Sequence, residues 1–168
     1  MKKLFFATVV LVLVSCQQDK IGYVDNVKLM EGYQEKLDVE NKFKAKAETM
    51  NKKRDSIAQA FQLEYQALQT KAQNWSQKKA QEELGLLQQK SQFLGQQLQQ
   101  EEQQLQSEGQ TEMDSVVSKV KKEIQAFGKS KGYTYILTGG EGGSVLYGAD
   151  AKNLTSEVLT ILNEKYRQ

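Results

Sequence analysis

The 168-residue chain is long enough for one domain of ordinary size, and it contains no Pro, no His and one Cys. Without His there is no Ser-His-Asp or Cys-His pair and no imidazole for zinc; the sequence offers no catalytic residue, metal ligand set or cofactor motif, and it reads as not an enzyme. The formal net charge of +2 vanishes once Lys2 and Lys3 are set aside, leaving 21 basic against 21 acidic residues, so a general attraction to nucleic acid has no footing.

Met1-Lys2-Lys3 is followed by an apolar run from Leu4 to Val14. A membrane span needs about 20 apolar residues, so this run is too short to cross but suits the core of a signal peptide. Leu13-Val14-Ser15-Cys16 resembles the lipobox of bacterial lipoproteins. That resemblance implies that residues 1–15 are a signal peptide and that Cys16 is acylated and becomes the first mature residue. A plain secretory signal that happens to contain a Cys is the alternative. Two or three acyl chains on one residue are enough for stable anchoring. Residues 16–20 then form a lipidated tether that reaches about 17 Å when extended, which keeps whatever folds next close to the membrane. Gln17, not Asp, follows Cys16, so the enterobacterial signal for retention at the inner membrane is not visible.

Lys20-Ile21-Gly22-Tyr23-Val24-Asp25 is β-prone and ends in a residue suited to capping. Val27, Met30 and Tyr33 follow at three-residue spacing and predict a short helix with one apolar side. From Gln34 to about Ser130 turn chemistry is almost absent, and apolar residues keep helical spacing. They run through Leu37, Phe43, Met50, Ile57, Phe61, Tyr65 and Leu68, then through Leu84, Leu87, Leu94, Leu98, Leu105 and Met113. Such a narrow stripe is what two slender helices need to wrap each other. One straight helix of this length would extend about 145 Å with its stripe unburied, so a hairpin over 34–130 is expected. Asn74-Trp75-Ser76 is the best local break, with Ser76 as N-cap of the return helix and the turn near 74–80. Gly85, Gly95 and Gly109 each weaken that helix by up to about 1 kcal/mol relative to Ala.

After Gly132 the pattern changes. Tyr133 to Leu137 alternates like a strand, with Tyr133, Tyr135 and Leu137 on one face. Gly139 to Gly143 is a glycine loop, and Ser144-Val145-Leu146-Tyr147 reads as a further strand. The loop has neither the spacing nor the following helix of a phosphate cradle, so a β-connection is expected. A final helix is expected from about Thr155, capped by Thr155 and stapled by Leu154 and Leu159. The predicted fold is α+β: residues 21–33 and 131–168 form a small β-rich body, and a long coiled-coil hairpin protrudes from it.

These segments resemble the OmpH/Skp family of periplasmic chaperones along nearly the whole mature length. The resemblance is carried by Ile21-Gly22-Tyr23-Val24-Asp25 with Val27 and Tyr33, then by Lys131-Gly132-Tyr133 with Tyr135-Ile136-Leu137. It continues through Val145-Leu146-Tyr147-Gly148-Ala149-Asp150, Leu154-Thr155 and Glu157-Val158-Leu159. It implies a homotrimer shaped like a jellyfish, joined through its body, whose hairpins hang as tentacles around a cavity. Unfolded outer-membrane proteins would be held there without ATP, in the periplasm of a Gram-negative envelope. Two departures stand out. Known members are strongly basic whereas the mature chain is neutral, and the well-known chaperone of the family is soluble whereas Cys16 implies a lipid anchor.

The basic residues concentrate in Lys42, Lys44, Lys46, Lys52, Lys53 and Arg54, while Gln81–Ser130 carries five Lys against eight acids. One reading is a solvated face paired with the acidic return helix. The other is electrostatic capture of unfolded clients, with Phe43, Met50, Phe61 and Tyr65 as apolar contacts; the same four also fit the hairpin stripe. Trp75, at the presumed turn, either packs across it or contacts clients or membrane. Two functions follow: an ATP-independent holdase for unfolded envelope proteins, or a structural coiled-coil lipoprotein acting as spacer or scaffold.

Overall fold

The computed structural model describes residues 19–168, so the segment expected to be a signal peptide and Cys16 lie outside the described residues. β1 (Ile21–Asp25) buries Gly22 and Val24 on one face and turns Ile21, Tyr23 and Asp25 to the other. It pairs in parallel with β2 (Tyr135–Gly139), Ile21 opposite Tyr135 and Asp25 opposite Gly139. Parallel neighbours need a crossover connection, and here the crossover is the helical hairpin itself.

Asp25 ends β1 and opens α1 (Asn26–Gly32), its carboxylate accepting the amides of Val27 and Lys28, each at 3.1 Å. The apolar side of α1 is partly the one the spacing predicts: Tyr33 is buried and Met30 packs against the core, but Val27 does not join them. Val27 is 42% exposed, and the anchor is the fully buried Leu29, which joins Val158 and Leu162 from the far end of the chain.

α2 (Gln34–Ala72) and α3 (Gln77–Lys131) form the hairpin, joined by a turn over residues 73–76. Ser76 caps α3 by accepting the Lys79 amide, as its place in the sequence predicts. At 1.5 Å per residue α2 is about 58 Å long and α3 about 82 Å. The difference lies in the body, where the last turns of α3 contribute Val116, Val120 and Phe127 to the core. α3 stops at Gly132, whose φ of +68° places it in the left-handed region that favours glycine.

The body is not β-rich. It is a two-stranded sheet covered by α1, the end of α3 and α4 (Thr155–Tyr166), around Val24, Leu29, Tyr33, Val116, Val120, Phe127, Leu154, Val158 and Leu162. The strand expected over Ser144–Tyr147 reduces to a single bridge. Gly140 and Gly142 turn the chain at positive φ, the Val145 amide donates to the Thr138 carbonyl at 3.1 Å, and pairing ends there. Leu146 and Tyr147 are left 101% and 90% exposed, because among the described residues no further strand lies beside them.

Thr155 is also corrected: it is the first residue of α4, not its cap. Asn153 accepts both its amide and its hydroxyl, and the hydroxyl oxygen in turn accepts the Asp25 amide at 2.9 Å, tying α4 to the end of β1.

Candidate functional site

The six basic residues singled out in the sequence all lie on α2, and four of them are paired with α3. Lys42 meets Glu112 at 2.6 Å, Lys46 meets Glu108 at 3.1 Å, Lys53 meets Glu101 at 2.5 Å and Arg54 meets Glu102 at 2.8 Å. Nearer the turn, Lys90 of α3 reaches back to Glu64 of α2 at 2.8 Å. The hydrogen bonds from Lys46 and Gln104 hold the Glu108 carboxyl below its usual range. Lys44 and Lys52 are exposed and have no carboxylate partner among the described residues.

The four apolar candidates divide as well. Phe43, Met50 and Phe61 are half-buried between the helices, and Tyr65 is exposed. The Phe43 ring lies over Gly109, where an added Cβ would come within 3.3 Å of it. The ammonium groups of Lys42 and Lys46 approach the same ring, at 5.3 and 4.9 Å from its centre. Gly109, read from sequence as a weak point of the helix, is therefore the position that admits Phe43. Gly85 and Gly95 face open space.

Between Phe43 and Phe61 the helices do not close. A groove of about 530 Å³ opens on one side of Met50 and Leu105, lined also by Ala45, Thr49 and Gln104. A second, of about 370 Å³, opens on the other side beneath Phe43, Ala47 and Gly109. The floor of each is apolar; the rim of the first carries the pairs Lys46–Glu108 and Lys53–Glu101, and that of the second carries Asn51, Glu102 and Gln106.

The arm is fixed to the body by side chains from both ends of the chain. Asn163 of α4 accepts the Gln34 amide at 2.8 Å and donates to the Gly32 carbonyl at 3.1 Å, bridging the break between α1 and α2. The buried Tyr33 donates to Glu35 at 2.5 Å, and Lys119 of α3 donates to the other oxygen of the same carboxylate. Burial pushes Glu35 up, but hydrogen bonds from Lys119 and Tyr33 and the charge of Lys119 outweigh it and hold the carboxyl below its usual range. Burial and the bond to Glu35 push the Tyr33 phenol well above its own. Tyr166 donates to Asp38 at 2.9 Å and Lys165 meets Glu123 at 2.7 Å, so the last turn of α4 grips both arm helices.

A family model described as outer membrane protein (OmpH-like) matches residues 20–162, from the first residue before β1 to the core side chain Leu162 of α4. The chain belongs to this OmpH-like family. Among solved structures, an OmpH-like protein of Caulobacter crescentus CB15, named as a candidate outer membrane chaperone, superposes with a TM-score of 0.78 at 16% identity. The match covers 88% of this chain and 85% of that one, and at this identity it shows a shared fold. No curated protein matches the chain.

The OmpH-like arm also carries apolar residues that the sequence reading did not single out. Leu63, Leu86 and Phe93 lie exposed in its outer half with Tyr65. Leu86 and Phe93 are seven residues apart, each one position before the stripe residues Leu87 and Leu94, so they form a second line on an adjacent face. That offset is the signal that could have found them. Among the described residues no cluster of His, Cys, Asp or Glu could hold a metal ion, and no helix is long and apolar enough to cross a membrane.

Proposed function

We propose that the protein is an ATP-independent holdase that binds unfolded outer-membrane or other envelope proteins in the periplasm. Membership of the OmpH-like family supports a chaperone role at the level of the family, which is not one of enzymes. The observation that carries the reading is the arm: two long helices leave a small body, close imperfectly on each other, and expose Leu63, Tyr65, Leu86 and Phe93 beyond the grooves. Loosely closed apolar surface on a slender arm suits clients without a fixed shape. Lys44 and Lys52, the two of those six basic residues that meet no carboxylate among the described residues, are the candidates for electrostatic contact, with Tyr65 and the groove residue Met50 as apolar contacts.

The proposal includes a homotrimer. Ile21, Tyr135 and Leu137 are exposed on one face of the sheet, and Leu146 and Tyr147 stand beside it, an apolar surface that a second and third copy would cover. It also includes anchorage by acylation of Cys16, which would hold the body near a membrane. The purified mature chain should suppress aggregation of a denatured β-barrel protein without nucleotide. Light scattering should show a trimer that gains one client's mass. Absence of suppression at molar excess would refute the holdase.

One observation favours a second reading. The ion pairs from Lys42–Glu112 to Glu64–Lys90 run along the shaft as they would in a self-contained rod, which suits a structural spacer or scaffold lipoprotein. Pull-down separates the two: a scaffold returns one stoichiometric partner, a chaperone many.

A further inference from the structure

Lys20, the residue before β1, is pinned to one end of the molecule. Its carbonyl accepts the Thr134 amide at 2.8 Å. Its ammonium donates to the Lys131 carbonyl at 2.8 Å and lies 4.2 Å from the centre of the Tyr133 ring. A cation on the last carbonyls of a helix is favoured by the helix dipole, so the contact has its own driving force. Lys131 ends α3, which runs to this point from the arm turn over about 82 Å. From here β2 runs back along α3, Ile136 packing on Gly128 and Thr138 sharing a cavity with Val117. The parallel β1 starts opposite Tyr135 and so runs toward the arm as well. Lys20 and the turn over residues 73–76 therefore occupy opposite ends of the protein.

Cys16 stands four positions before Lys20, with the polar Gln17, Gln18 and Asp19 between them. Fully extended, that span is at most about 14 Å. An acyl group on Cys16 would therefore hold this end of the body at the membrane, and not the arm. In a homotrimer three such tethers leave the same end at equal heights about the three-fold axis. All three reach one plane equally only when the axis stands upright on it.

We propose that the protein stands on its membrane by the Lys20 end of the body with the arm pointing away, so that it takes clients from the aqueous side and not from the bilayer that holds the anchor. This deepens the functional reading above and rests on two parts of it, acylation of Cys16 and the homotrimer. Heights along α3 agree. The groove floored by Met50 and Leu105 lies about 40 Å from Lys131, and the exposed Leu86 about 70 Å. The apolar surface of the arm is thus offered well clear of the anchored end, and a client still in that bilayer has to leave it before meeting either.

Cys16 is the only Cys and Trp75 the only Trp, so one protein carries an attachment point near one end and a reporter at the other. The chain from residue 16 onward is coupled through the Cys16 thiol to a neutral maleimide-bearing lipid in phosphatidylcholine vesicles. Dansyl-labelled lipid in the same bilayer accepts energy from Trp75. Emission from Trp75 should stay at its level without dansyl, because transfer dies away well short of about 80 Å. The variant Cys16→Ser, Asn74→Cys, coupled at the exposed turn, should lose most of that emission, which shows that the transfer works. Circular dichroism and light scattering check that both are folded and trimeric. The protein coupled at Cys16 should also suppress aggregation of a denatured β-barrel as the uncoupled chain does, and the one coupled at Asn74→Cys should suppress it less. Strong transfer from Trp75 in the Cys16-coupled protein overturns the proposal, because the arm then lies on the bilayer. A monomer overturns it as well, since one tether does not hold an arm upright. Chemical coupling keeps the readings apart: a native chain without acyl groups by mass spectrometry refutes the anchorage, and an uncoupled chain that suppresses nothing refutes the holdase. Neither result alters the energy transfer.

Discussion

In the body, side chains from β1, α1, α3 and α4 close over one another until Val24, Leu29, Val116 and Val158 have almost no contact with water. Along the arm α2 buries no residue at all, and of the α3 side chains beyond the body only Leu87 is buried. The same helix, α3, belongs to both regions. What changes along it is the number of elements packed around it, three in the body and one in the arm. A two-helix seam leaves most of each side chain facing solvent, so the body is held by burial and the arm by edge contacts and ion pairs.

That contrast is broken most directly by matched truncations. Leu29→Ala or Val158→Ala should lower unfolding stability by about 2–4 kcal/mol, since each removes buried atoms and leaves a cavity the body cannot close. Met50→Ala or Leu105→Ala should cost roughly 1 kcal/mol or less, because the grooves beside them already admit water. Urea unfolding followed by circular dichroism measures both. Equal losses in the two regions would mean that the arm is packed as tightly as the body.

The joint between the regions depends on pH. Folding holds Glu35 below its ordinary 4.5, so in acid the unfolded chain takes up a proton that the folded chain refuses. The stability this group contributes is complete above about pH 4.5 and is lost as the pH falls through the folded value. Tyr33 has the opposite sign. Its folded phenol keeps its proton above the ordinary 10.0, so stability falls as the pH rises beyond 10 and the unfolded chain ionises. Tyr33→Phe should cost about 1.5–3 kcal/mol at neutral pH, the range for a hydrogen bond to a charged group, and shrink the alkaline limb, to which Tyr166, held up by its bond to Asp38, also contributes. Glu35→Gln should flatten the acid limb. Urea midpoints between pH 3 and 11 test both signs.

Features that depend on neighbours in sequence were legible before the structure. Asp25 and Ser76 cap helices because a carboxylate or hydroxyl there can reach amides two or three residues on, and the seven-residue stripe implies a hairpin because one face needs cover. Features that depend on distant segments were not. Whether Val27 or Leu29 faces inward is decided by α4, more than a hundred residues away. Ser144 to Tyr147 has the composition of a strand but finds only Gly139 to pair with. At the candidate site the cluster of cations was visible, but its pairing depends on the register between α2 and α3, and the stripe alone does not set that register to within a residue. The division of Lys44 and Lys52 from their neighbours was therefore hidden.

Register also distinguishes the glycines of α3. Gly95→Ala should stabilise the arm by up to about 1 kcal/mol, because the helix gains propensity and the added Cβ meets nothing. Gly109→Ala should gain less or lose, because its Cβ presses on the Phe43 ring. If the two substitutions behaved alike, Phe43 would not be seated over Gly109. Thermal unfolding of the two variants side by side decides it.

The smallest effect should come from the most conspicuous contacts. Each shaft ion pair is between side chains roughly half exposed to water, and such pairs contribute about 0.2–1 kcal/mol. Arg54→Gln or Lys46→Gln should therefore change stability by no more than that, with a still smaller difference at high salt. Their larger consequence should be local. Removing Lys46 or Lys53 frees Glu108 or Glu101 on the rim of the groove floored by Met50 and Leu105, which opens that rim and makes it more acidic. If clients enter this groove, the substitution should change client affinity more than it changes stability, and acidic clients should lose most. If affinity stays unchanged while stability drops slightly, the ladder serves only to hold the rod closed, and the exposed line of Leu86 and Phe93 becomes the surface to truncate next.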